Sequence, residues 1–194
     1  MRTVTFAITL VTLLASAAHA APVAEWTFNE YDGDARRIPA ASGGGEIVMT
    51  ESWGEASLSS PKGSKLNAPG EVDAGSALGL SGQARNGDFL DIRIPPVGST
   101  PMTLSAAVRR SGTGFTSVVI SVSSDEGKTF KKIKTWKPGT SWAIQEATLP
   151  ATGSAGTRLV RITVDGASSA RGGIRIDNLV VVDSVPSTPT MPGT

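Results

Sequence analysis

The chain has 194 residues, 18 of them basic and 17 acidic, with no cysteine and a single histidine, His19. His19 lies in an N-terminal segment that we expect to be cleaved, which would leave the mature chain without histidine or cysteine. That absence excludes Ser-His-Asp and Cys-His nucleophiles, zinc sites built on histidine or cysteine, and haem attachment. A formal net charge of +1 is also not the basic excess that binds nucleic acid or an anionic membrane.

Residues 1–20 predict a cleavable signal peptide. Arg2 precedes an apolar run, Val4–Leu14, and small residues flank His19 in an A-x-A cleavage site. The run is shorter than the roughly 20 apolar residues that span a membrane. Cleavage would remove Arg2 and no acid, which leaves 17 basic and 17 acidic residues. We therefore expect a secreted protein, extracellular or periplasmic, with no membrane insertion after cleavage and no nucleic-acid partner.

Short β-type runs separated by Gly, Pro, Ser and Asn follow, and no window shows a sustained helical period. Along 88–94, Leu90, Ile92 and Ile94 alternate with more polar neighbours, which predicts a half-buried strand with these three residues in the core. The predicted strands are Val23–Phe28, Glu46–Met49, Ser76–Leu80, Asp88–Ile94, Met102–Arg110, Thr116–Ser123, Thr129–Trp136, Trp142–Leu149, Arg158–Val164 and Gly173–Val182. So many short strands indicate an all-β sandwich or barrel.

Two segments depart from this pattern. Residues 35–74 contain few large apolar side chains and many Gly, Ser and Pro, which predicts long surface loops with one or two strands. The Ser/Thr/Pro-rich tail, 184–194, is predicted to be disordered. The folded domain is therefore expected to span residues 21–183.

The segment SSDEGKTF, Ser123 to Phe130, lies between two predicted strands. Asp125 and Gly127 suit a tight hairpin turn, because the aspartate bonds nearby backbone amides and the glycine accepts positive φ. The segment resembles the Asp-box of sialidase propellers, where the motif recurs in each blade. It occurs once here, in a chain too short for a propeller, so we expect a structural turn.

The segments EWTFNE, NGDFLDIRI, MTLSAAVRRSGTG, VVISVSSDEGKTF and GGIRIDNLVVVD together resemble bacterial secreted jelly-roll domains with a terminal IDN strand. These domains have a layout similar to MAM-like and carbohydrate-binding β-sandwiches. The resemblance implies an all-β, two-sheet antiparallel jelly-roll β-sandwich whose first and last strands lie side by side. It carries over no catalytic residue.

Some of these sandwiches hold a calcium ion between the first and last strands, and the resemblance implies Glu30, Asn29 and Asp177 as the matching ligands. Carboxylate, amide and carbonyl oxygens are the ligands that Ca²⁺ takes. The alternative is that Asp177 and Asn178 cap backbone groups at a strand bend.

Exposed aromatic rings stack on sugar rings, so the tryptophans and the single tyrosine are candidate ligand-binding residues. Trp26 alternates with Phe28 and is expected in the core. The candidates are Trp53, which lies in the predicted loop segment, Tyr31 and Trp142.

The sequence favours a secreted, non-catalytic module for cell-surface adhesion or glycan binding, with a glycan or a cell-surface component as partner. Two alternatives stay open. The first is a carboxylate-dependent glycan hydrolase, for which Glu51 and Glu55 beside Trp53 are the candidate acids. The second is a purely structural protein of the cell envelope.

Overall fold

The computed structural model describes residues 22–68, 73–96, 100–151 and 156–184. The predicted signal peptide and residues 185–194 of the predicted tail lie outside these ranges. Within the described ranges, no helix is long and apolar enough to cross a membrane.

The described residues form thirteen strands and two short 3₁₀ helices, Glu55–Ser57 and Gln83–Arg85. The strands are β1 (Ala24–Trp26), β2 (Arg37–Pro39), β3 (Ser42–Gly43), β4 (Glu46–Met49), β5 (Leu58–Ser59), β6 (Leu78–Ser81), β7 (Phe89–Ile94), β8 (Met102–Arg110), β9 (Ser117–Ser123), β10 (Lys131–Trp136), β11 (Ala143–Leu149), β12 (Arg158–Asp165) and β13 (Gly173–Asp183). The predicted all-β fold is confirmed.

The strands pair in two antiparallel sheets. The first sheet has the order β11-β8-β13-β1-β3, with β6 also bonded to β13 and β5 to β6, and the second has the order β10-β9-β12-β7-β4-β2. Strand β13 pairs with β8 along one side, and with β6 and then β1 along the other. Trp26 lies opposite Leu179, so the first and last strands are side by side as predicted.

The core lies between the sheets, and the longer strands contribute alternate residues to it. In β7, Leu90, Ile92 and Ile94 are at most 1% exposed, as their alternation predicts. Trp26 is buried too, and its indole N–H donates to the Ile38 carbonyl oxygen at 3.0 Å. Buried rings of this kind need such a partner for the N–H group.

The N-terminal half differs most from the predicted strands. The first strand ends at Trp26 rather than at Phe28, which adopts a left-handed conformation with φ 58°. The described part of residues 35–74 contains four strands, β2 to β5, instead of one or two. Three of these have only two or three residues, too few to produce a readable alternation.

The Asp-box segment forms the connection between β9 and β10, as predicted. The Asp125 carboxylate accepts bonds from the Thr129 hydroxyl at 2.6 Å, the Thr129 backbone N–H at 2.9 Å and the Ser123 hydroxyl at 2.7 Å. These bonds to the charged form, those from Thr129 foremost, lower the pKa of Asp125 to about 2. The motif therefore serves as a self-contained turn.

Candidate functional site

Trp53 does not present a ring to solvent, so its predicted exposure is wrong. The side chain is 0% exposed, and its indole N–H donates to the Phe89 carbonyl oxygen at 2.9 Å. The surrounding loop packs against β7 and takes the ring into the core. Glu51 and Glu55 are exposed, and with Trp53 buried no ring is available between them to hold a sugar for hydrolysis.

Tyr31 is also buried, but it lines a cavity of about 270 Å³ beside the end of β1, together with Trp26 and Phe28. Its hydroxyl has no hydrogen-bond partner among the described residues. Burial, and then the negative charges of Asp32 and Asp34, raise the pKa of Tyr31 above its ordinary value. The phenol therefore stays neutral and keeps an unused donor.

A pair of carboxylates, Asp32 and Asp34, lies beside this cavity. Backbone N–H groups of Asp34 and Ala35 lower the pKa of Asp32. A hydrogen bond to Asp32, together with its charge, raises the pKa of Asp34. Both side chains are exposed and Asp34 does not line the cavity, so the pair has the geometry of a solvated turn.

The IDN segment of β13 binds the loop that contains Ser64 and Leu66. Asp177 is 1% exposed and accepts bonds from the Ser64 N–H at 2.6 Å and the Asn178 N–H at 2.9 Å. The Asn178 amide donates to the Ser64 and Leu66 carbonyl oxygens, both at 2.9 Å, across a register shift in β13. Burial raises the pKa of Asp177 to about 6, against the opposing effect of these backbone bonds.

The oxygens near Asp177 have the chemistry that calcium requires. A Cβ placed on Gly63 would meet three oxygens together, the Ala74 and Ser76 carbonyls and Asp177 Oδ2. Each carboxylate oxygen retains a second lone pair beside its N–H donor. These hard oxygens fit the preferences of Ca²⁺.

The other two predicted ligands are less well placed. Asn29 is exposed and its Oδ1 already accepts the Ser76 N–H at 3.2 Å, so it contacts the same loop as Asp177. Glu30 is exposed. Among the residues that the structure describes, no three acidic or histidine side chains gather at one point to hold a metal.

On the outer face of the second sheet, one arginine contacts two aromatic rings and an aspartate. The Arg161 guanidinium lies 3.6 Å from the ring centre of Phe89 and 3.8 Å from that of Phe130. It also forms a two-bond ion pair with Asp91, both bonds at 2.8 Å. At these short distances the guanidinium lies directly against both rings, and Asp91 holds it there, so this part of the surface offers little to a sugar.

The outer face of the first sheet has a line of five residues across its strands, which we call the transverse row. Register places Ser59 opposite Gly79, Gly79 opposite Arg175, and Arg175 opposite Arg109. Trp142, just before β11, continues the line, with its ring centre 6.0 Å from the Arg109 guanidinium. At about 4.8 Å between strands, the row spans roughly 19 Å.

The arginines of the transverse row point away from the core. Ile174 and Ile176 are each 1% exposed, so Arg175 between them faces outward. Val108 is likewise buried, which turns Arg109 outward. Both arginines and Trp142 are partly exposed. Of the three predicted ligand-binding residues, Trp142 alone therefore has an accessible ring.

A cleft of about 280 Å³ adjoins the row. Its lining includes Arg109, Arg110, Arg171 and Arg175 but no acidic residue. At one end of the cleft, a Cβ on Gly79 would meet the Ser59 hydroxyl and the Pro61 ring. Only glycine therefore fits next to these two side chains. Sequence reasoning missed the cleft because strand register, not sequence proximity, brings these residues together.

No protein-family profile matches the chain, and no curated protein does. Solved structures are similar. The CBM22-1 xylan-binding domain from Paenibacillus barcinonensis Xyn10C has 10% identity and a TM-score of 0.50, covering 86% of this chain and 96% of that one. The CBM22-1-CBM22-2 tandem domain of Xyn10C has 12% identity and a TM-score of 0.50, covering 93% of this chain and 51% of that one. The predicted jelly-roll layout, like that of carbohydrate-binding modules, is confirmed.

Proposed function

We propose that this protein is a secreted, non-catalytic β-sandwich module that binds glycans, as in adhesion at a cell surface. The observation that carries the proposal is the transverse row, where Trp142 offers a partly exposed ring beside polar side chains on the face of a sheet. A ring face stacks on the apolar face of a pyranose while nearby donors fix its orientation. The similarity in layout to a xylan-binding domain supports this choice of ligand class.

The proposal is tested by measuring affinity for soluble polysaccharides with Trp142→Ala. Loss of an anchoring ring in a binding site weakens affinity by about tenfold or more, and Trp142→Phe should retain most of the binding. Leu66→Ala is the matched control, because Leu66 is an exposed apolar side chain at 41% that lies outside the row.

Two results would contradict the proposal. If the wild type binds no polysaccharide on a glycan array and captures no cell-envelope partner, the protein has a purely structural role. If the wild type releases new reducing ends from a polysaccharide, and an acid-to-amide variant such as Glu51→Gln stops this, the protein is a hydrolase. Tyr31, which lines a separate cavity, stays a predicted ligand contact and is tested in the same way with Tyr31→Phe.

We also propose a structural Ca²⁺ at Asp177, supported by the carbonyl oxygens gathered around Gly63. Binding to the folded state alone would stabilise it by about 2.7 kcal/mol at 100 times Kd. Chelation should then lower Tm by roughly 5–10 °C, and Asp177→Asn should abolish this calcium dependence. Identical melting in EDTA and in excess calcium would show that Asp177 acts only as a backbone cap.

A further inference from the structure

The transverse row contains two like charges that the fold places directly opposite each other. Arg109 and Arg175 are cross-strand partners in β8 and β13. Like charges at such positions repel and destabilise a sheet. Elsewhere the chain puts an acid opposite an arginine, as with Arg161 and Asp91 on the second sheet. In the first sheet, the residue opposite Arg175 is Arg109 rather than an acid.

Arg109 and Arg175 are not neutralised by other parts of the described chain. None of the four cleft arginines forms a salt bridge with a described residue. Arg110 is held in place, since its guanidinium donates to the carbonyl oxygens of Pro138, Ser111 and Gly112. Arg175 makes one long bond, 3.4 Å, to the Lys62 carbonyl oxygen. Arg109 and Arg175 therefore keep free donors at the surface.

Asp177 is the next acid along β13, but it is not available to these arginines. It is 1% exposed, and both its oxygens accept backbone N–H bonds beneath the loop that contains Ser64. No described acid therefore neutralises Arg109 and Arg175, and an anionic ligand bound there would supply the counter-charge.

We propose that the transverse row binds an anionic glycan, with a uronate carboxylate or a sulfate held by Arg109 and Arg175 and a sugar ring on Trp142. Guanidinium groups suit these anions because their N–H donors match two oxygens at once. This inference rests on the proposed function and specifies that the bound glycan is negatively charged. The serines that line the cleft, Ser59, Ser81 and Ser111, offer hydroxyls to sugar hydroxyl groups.

The same features favour a glycan over a nucleic acid. The chain is almost balanced in charge, with 18 basic and 17 acidic residues, and the two arginines that face each other lie in one short row. Nucleic-acid binding takes a longer basic track that contacts many phosphates. One accessible ring beside a short cluster of arginines instead matches a charged sugar and its neighbours.

The test compares polygalacturonate with its methyl ester, which has the same backbone without the charge. The wild type should bind polygalacturonate at least about tenfold more tightly, since each lost charged hydrogen bond weakens affinity by about that factor. Dextran sulfate and dextran form a second pair, which separates sulfate from carboxylate binding. A single-stranded DNA oligonucleotide serves as the non-glycan polyanion.

Arg175→Glu is the decisive variant, because it should abolish the preference for the charged glycans without lowering Tm. The substitution would replace the repulsion with Arg109 by an attractive cross-strand pair. Lys132→Glu is the matched control, since it makes the same charge change at an exposed position of β10 on the other sheet. Arg175→Gln removes the charge without reversing it.

Each contrary outcome has its own meaning. If charged and neutral glycans bind equally well and Trp142→Ala weakens both, the charge inference is wrong while the proposed function stands. If no glycan binds, both are wrong. If DNA binds as tightly as polygalacturonate, or if Lys132→Glu weakens binding as much as Arg175→Glu, the attraction is a general one for polyanions and the site is not the transverse row.

Discussion

Replacing Asp177 with asparagine should change how the stability of the domain depends on pH. Burial raises the pKa of this carboxyl from 3.8 to about 6 in the folded protein. The folded state therefore holds a proton on Asp177 at pH values where the unfolded chain has released it. Its contribution to stability is fully present below about pH 4, is lost as the pH rises toward 6, and does not return above that.

The size of the effect follows from the same values. A pKa raised from 3.8 to about 6 corresponds to about 3 kcal/mol of unfolding free energy. The amide introduced by Asp177→Asn does not ionise, so the variant lacks this loss. The amide does turn an N–H group toward Ser64 or Asn178, where the carboxylate accepted a bond, which costs about 1–3 kcal/mol at every pH. The variant should thus be less stable at low pH and equal or more stable at neutral pH.

The measurement is urea unfolding of both proteins across this pH range, in EDTA so that no cation binds Asp177. Because the other titrating groups are common to both proteins, the difference between the two unfolding free energies isolates Asp177. Glu146→Gln, which removes an exposed carboxylate on β11, is the control. If the difference between wild type and Asp177→Asn stays constant with pH, the buried carboxylate does not titrate in this range and the reasoning is refuted.

Three further substitutions test local features. Tyr31→Phe removes a buried hydroxyl that has no described partner, so urea unfolding should show unchanged or higher stability, by up to about 1 kcal/mol, and a clear loss would reveal a missed partner. Arg161→Met should lower the free energy of unfolding by about 2 kcal/mol. A double-mutant cycle with Asp91→Asn should show a coupling energy between the two residues, and a coupling of zero would mean that their ion pair does not contribute to stability. Asp125→Asn should lower the protection of the Thr129 amide from hydrogen exchange near neutral pH, because the Thr129 N–H would lose its carboxylate acceptor; equal protection in the two proteins would contradict the turn geometry.

The two-sheet fold is readable from the sequence because long strands carry a clear alternation. Strand β8 has the predicted bounds, Met102–Arg110, and β7 buries the predicted face. Strands β2, β3 and β5 are too short to produce a period, and each forms only because a longer neighbour offers free backbone groups. Their positions depend on the tertiary fold.

The candidate site was predicted in part, through a single residue. The ring of Trp142 is accessible, as the sequence predicts, whereas the ring of Trp53 lies in the core because of a loop whose path no local pattern determines. The pairing of Arg109 with Arg175 depends on the register of β8 and β13. A single sequence contains no signal for that register across so long a separation.

The place of β13 also constrains the order in which the domain folds. Every strand of the second sheet precedes β13 in the chain, so that sheet can assemble while the polypeptide is still emerging N-terminus first. The first sheet has a gap at its centre until residues 173–183 arrive, since β8, β6 and β1 all bond to this one segment. Closing contacts between opposite ends of a domain are the slow ones. Among the described strands, the one farthest along the chain is therefore the one that completes the first sheet.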